Sequence, residues 1–150
     1  MKVSSIARWW ARVRAGLIET IDKFSDQDLD YVPFPGSYSV RQIILHIAQE
    51  EYGEMQFGIT REISEFPPPY PDASYPTVAA TKALLASVHD ETSKYLEKIS
   101  DAELEGEIDA GWGGTYLLED MILHVIEHEI HHRGELSLIL GLLGRAGLDV

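Results

Sequence analysis

LLEDMILHVIEHEIHHRGELSLILGLL, residues Leu117–Leu143, holds four of the chain's six histidines within nine positions: His124, His128, His131 and His132. Its length and apolar spacing predict a helix. On a helix His124, His128 and His132 are successive i, i+4 steps, so their imidazoles stack on one face about a turn apart. Met121, Val125, Leu136 and Ile139 flank that face and turn it toward a core. Unpaired imidazoles are costly to bury, and a shared divalent metal is the common compensation.

Two histidines four residues apart on a helix can present ring nitrogens to one cation at about 2.0–2.1 Å. His128 and His132 have that spacing. His46, the only histidine on the second predicted helix, is the natural third ligand. Three nitrogens leave coordination positions open for water or substrate, as a catalytic rather than a structural metal site requires. Glu50, Glu129 and Glu135 are candidates to hold the second nitrogens of the rings. The string His128-Glu129-Ile130-His131-His132 also matches the H-E-x-x-H pattern, in which Glu129 would be the general base of a zincin-type protease. The extended metzincin string is absent, and no stretch reads as a strand to build a substrate cleft. A third possibility is that the histidines fill the interior, hydrogen-bonded to glutamates and water.

Composition narrows the classes. The 150 residues, 45% of them apolar, suit one domain with a real core, residues 1–150. With no cysteine there is no disulfide, no thiolate metal site and no cysteine nucleophile, which fits a cytoplasmic location. The net charge of -13 argues against nucleic acid as a partner. MKVSSIARWWARVRAG lacks the continuous apolar stretch of a secretory signal, and no run is long enough to span a membrane.

Four helices are expected. The first runs Ser5–Phe24, with one of the adjacent Trp9 and Trp10 inside and the other covering a neighbour or a partner subunit, or both half-buried. Pro33, Pro35 and Gly36 break the chain. The second helix starts at Ser39 with Gln42 in a capping box and runs to about Arg61. EFPPPYPDASYP forms a long crossover. Thr77 caps the third helix, off whose apolar stripe His89 lies as a surface residue. The last helix starts near Thr115.

The chain also echoes itself. KFSDQDLD (Lys23–Asp30) resembles KISDAELE (Lys98–Glu105), 75 residues on, and SVRQIILHIAQEEY (Ser39–Tyr52) aligns with LLEDMILHVIEHEI (Leu117–Ile130) at an offset of 78. A duplicated helix–turn–helix unit explains this, and the few residue types available to amphipathic faces supply chance likeness as the competing explanation. Duplication would pair the second and last helices about a twofold axis, bring His46 toward the histidine face, and make His124 the competing ligand.

GSYSVRQIILHIAQEE (Gly36–Glu51), followed by ILHVIEHEIHHRGELSLILGLLGRAG (Ile122–Gly147), resembles the DinB/YfiT-like superfamily over nearly the whole chain. The H-x-x-x-H-R-G string is its most specific part. The resemblance implies an all-α, up-down four-helix bundle with a long crossover between the second and third helices, usually a homodimer. It implies a divalent metal, zinc or nickel, on His46, His128 and His132. The family often has Gln where Glu135 stands. Relatives include transferases that use low-molecular-weight thiols such as bacillithiol, an isomerase and metal-dependent hydrolases. The function expected is therefore a metal-dependent enzyme acting on small molecules, a thiol-dependent S-transferase or hydrolase. The alternatives are a non-catalytic metal or small-ligand binder of stress response and a metal-free bundle acting through its surface.

Overall fold

The computed structural model describes residues 1–148. In chain order the helices are α1 (Val3–Ile21), α2 (Val40–Gly53), α3 (Val78–Lys98), the short α4 (Asp101–Leu104) and α5 (Leu118–Leu142). The long ones start where the sequence supplies a cap. Ser39 Oγ accepts from the Gln42 N–H at 3.2 Å while Gln42 Oε1 accepts from the Ser39 N–H at 3.1 Å, the expected capping box. Thr77 Oγ1 accepts from the Ala80 N–H at 3.1 Å at the head of α3. Beyond Gly53, α2 widens into a π-helical turn, Glu54–Ile59, so its last six residues follow a looser pitch than expected.

α1 packs on α5 and α3, and α2 packs on α3 and α5, which sets α1 and α2 at opposite corners of a four-helix bundle. The core falls into two clusters. One centres on Ile6, Trp10, Met55, Ile122 and Ile126, the other on Leu17, Ile21, Ile44, Leu85 and Leu136. Trp10 is fully buried, while Trp9 is half-buried against the first cluster. Among the described residues no helix is long and apolar enough to cross a membrane.

The internal echo has a structural counterpart. Ser25 and Asp28 form one capping box and Ser100 and Glu103 another, each opening a short helical turn at the end of a long helix. Each turn drives a leucine, Leu29 or Leu104, into complete burial. A twofold that exchanges α1 with α3 and α2 with α5 maps the α1–α5 packing onto the α3–α2 packing. The strands were not expected. Glu107–Asp109 (β1) and Thr115–Leu117 (β2) form an antiparallel hairpin with Glu107 opposite Leu117, so α5 begins at Leu118 rather than near Thr115. Three-residue strands leave no readable alternation.

Between the two clusters each long helix contributes one polar residue: Arg14, Glu51, His89 and Glu129. Arg14 bridges Glu51 and Glu129, lying 2.8 Å from Glu129 Oε2. Trp10 Nε1–H donates to the same oxygen at 2.8 Å, and His89 Nδ1 lies 2.8 Å from Glu51 Oε1. His89 is thus not the surface residue expected. Its ring also stands edge-on to Trp10, 5.1 Å away. Burial opposes ionisation of Glu51, but Arg14, His89 and the Thr92 hydroxyl hold its carboxyl below the usual range. Burial, reinforced by the Glu51 charge, pushes Glu129 up despite Arg14 and Trp10.

Removing the cation from such a network leaves carboxylates buried without a counter-charge, at a cost of about 3–5 kcal/mol. Arg14→Ala is therefore expected to lower the unfolding free energy by about that amount in chemical denaturation. A loss below about 1 kcal/mol, as for an exposed ion pair, would show that the network does not hold the bundle together.

Candidate metal centre

Halfway along the seam between α2 and α5, three imidazoles meet. His46 comes from α2, about two turns beyond the Ser39 cap, and His128 and His132 come from successive turns of α5. His128 Nε2 lies 3.2 Å from His46 Nε2 and 3.0 Å from His132 Nε2. One nitrogen from each of the three rings lies within 4.8 Å of the other two. The rings stand edge to face, with His46 4.9 Å from both His128 and His132. Nitrogens that share an ion at about 2.05 Å are about 2.9 Å apart at an octahedral angle and about 3.3 Å apart at a tetrahedral one. The two close spacings lie in that interval, so the donor set fits a divalent ion.

The outer nitrogens are partly held. His132 Nδ1–H donates to Glu135 Oε2 at 2.6 Å, which fixes the tautomer with a lone pair on Nε2. Glu50 Oε1 approaches His46 Nδ1 at 3.7 Å, too far for a hydrogen bond. Burial, and then the neighbouring imidazoles, lower the pKa of His128 to about 3. Burial lowers that of His132 as well, against the opposing pull of Glu135. Both rings are therefore neutral at ordinary pH, the protonation state a metal ligand needs.

Two expectations change, for Glu129 and for His124. Glu129, the general base of the zincin pattern and a candidate outer partner, faces the bundle interior, where Trp10 and Arg14 occupy its carboxylate. His124 lies outside the three-ring cluster and lines a separate cavity with Glu54 and Trp112. His131, mostly exposed, meets Glu135 Oε1 at 3.4 Å from the outer side. Sequence reasoning also missed Tyr38, whose half-exposed ring lies 5.6 Å from that of His46. A cavity of about 220 Å³ opens beside them, walled by Gln42, Pro69 and Tyr70. Tyr38 precedes the helix cap, where helical periodicity carries no information.

Solved structures show the same fold. The DinB-like protein YjoA of Bacillus subtilis is 23% identical, with a TM-score of 0.76, covering 97% of this chain and 96% of that one. A DinB-like protein of Bacillus cereus is 16% identical, with a TM-score of 0.68 and coverage of 99% and 97%. YfiT of Bacillus subtilis, described as a probable metal-dependent hydrolase with an unusual four-helix bundle topology, is 21% identical, with a TM-score of 0.63 and coverage of 93% and 87%. No curated protein sequence matches the chain. The family model of the DinB superfamily matches residues 10–136, and a match over that span makes this chain a member of the DinB superfamily.

Proposed function

We propose that the protein is a metal-dependent enzyme acting on small molecules, a hydrolase or a thiol-dependent S-transferase, with a zinc or nickel ion on His46, His128 and His132. The observation that carries this is the convergence of three imidazoles, with His128 Nε2 at ligand spacing from both of the others, on a seam that opens to solvent beside Tyr38. A divalent ion supplies Lewis acidity there and activates a water or a thiol as nucleophile at neutral pH. The chain has no cysteine, so any thiol comes from a cofactor such as bacillithiol. Glu135 orients His132, and Tyr38 and the crossover segment around Tyr70 limit which substrates reach His46.

Zinc or nickel is expected to bind the untagged protein at one equivalent and to raise its melting temperature. His46→Ala is expected to abolish both that shift and turnover on a panel of bacillithiol with electrophiles and of activated esters. Glu135→Ala is expected to lower metal affinity by about 10-fold to 100-fold, with Glu135→Gln closer to the parent because an amide oxygen still accepts from Nδ1–H. Stoichiometric metal without turnover on either panel would favour a non-catalytic binder. Unchanged metal binding in His46→Ala would sink the three-histidine centre.

Acid should act on the same rings. Between the ordinary histidine value of 6.5 and about 3, the unfolded chain binds a proton at residue 128 that the folded chain refuses. Stability from the neutral ring is therefore present above about pH 6.5 and is lost as the pH falls toward 3. The melting temperature of the metal-free protein is expected to drop from about pH 7 to about pH 5, where carboxylates still contribute little. His128→Gln should flatten that slope, and an undiminished slope would place its origin elsewhere.

A further inference from the structure

The 78-residue offset that relates His46 to His124 and Glu50 to His128 also relates Glu54 to His132. Each member of the three-histidine centre thus has a counterpart on the other half of the α2–α5 seam, and there the counterparts are His124, Glu50 and Glu54. The duplicated position has exchanged two imidazoles for two carboxylates. Among the described residues these three do not converge as a metal-ligating set. Instead, Glu54 and His124 open onto a cavity of about 400 Å³ with Asp120, Trp112 and Tyr116.

The aromatic walls are built, not incidental. Trp112 and Tyr116 are 45% and 43% exposed, so neither is a core residue. Their rings stand edge to face, 6.3 Å apart at 64°. Trp112 is pressed onto the π-helical turn of α2. A β-carbon on Gly58 would lie 2.4 Å from its ring, and one on Gly111 would lie 2.1 Å from the Phe57 carbonyl oxygen. The Gly111 N–H donates to the Gly58 carbonyl at 3.1 Å and locks the loop there. On the opposite wall Glu54 Oε2 is buried with no hydrogen-bond partner among the described residues. Burial pushes the Glu54 carboxyl up against the opposing pull of His124, and a bound cation would add to that pull. A buried, unpaired carboxylate oxygen, a second acid and two angled π-faces together favour one ligand chemistry, an organic cation.

We propose that this pocket binds an organic cation through its ammonium group, primary to quaternary, at a site distinct from the three-histidine centre. The pocket lies further along the same seam, since His124 precedes His128 by four residues and Glu54 follows His46 by eight.

The test uses the full chain, with and without zinc, titrated with tetramethylammonium, with choline, and with 3,3-dimethylbutan-1-ol, the uncharged isostere of choline. Saturable binding of the cations is read by tryptophan fluorescence and by ligand-observed NMR. The neutral isostere should bind about tenfold or more weakly. Glu54→Gln and Trp112→Leu should each weaken choline binding about tenfold while keeping the zinc-induced thermal shift. Equal binding of choline and its isostere, unchanged choline affinity in both variants, or no saturation by either cation below about 10 mM would overturn the proposal. Loss of the zinc shift in His46→Ala with choline binding intact supports the pocket. Absence of any zinc shift in the parent with choline binding intact supports the pocket and removes only the metal-dependent function.

Discussion

One guanidinium holds the four helices in register. Arg14 of α1 reaches Glu51 of α2 and Glu129 of α5, and Glu51 takes His89 of α3 as its second partner. In a low-dielectric interior such groups cannot be left unpaired, so the helices cannot slide or rotate independently without stranding a charge. Glu129 is the chain neighbour of His128, and Glu51 lies five residues from His46. The contact that fixes α2 against α5 therefore also fixes how closely the three imidazoles approach. A slip of one residue along either helix would turn a ring out of the seam by about 100°.

The network follows the offsets of the internal echo more closely than the sequence alignment does. Glu51 and Glu129 stand at the 78-residue offset, and Arg14 and His89 at the 75-residue offset. The first half thus supplies a permanent cation where the second supplies an imidazole, each touching the carboxylate of the same bundle face. That difference polarises the pair, because Glu51 is held well ionised by both while burial keeps Glu129 up. The two short capped turns ending in Leu29 and Leu104 close opposite halves of the core in the same way.

Much of this was legible in the residues. The stripe of histidines, the Ser39 box, the Thr77 cap and the proline breaks each rest on local rules, and the structure follows them. The meeting of His46 with the late pair was legible from its place as the only histidine of the second predicted helix, from the internal echo and from the family resemblance. What escaped depends on which way a side chain turns within a face. Glu129 and Glu135 flank the same rings in sequence, yet one is drawn inward by Arg14 and the other outward to His132. His89 looked like a surface residue until its partner on another helix was known. The β1–β2 hairpin and the π-helical turn lock each other through Gly58 and Gly111, and neither has a signature of its own.

The widened turn at Glu54–Ile59 has a further effect. A regular helix there would have kept α2 advancing by about 100° per residue along its whole length, as α5 does. The looser pitch spends backbone without advancing the phase at the usual rate, and the symmetry lapses on that side alone. One end of the seam stays tight around imidazoles while the other gapes under Trp112. The molecule acquires a direction, a narrow pole and a wide one, from six residues whose side chains take no part in the three-ring cluster.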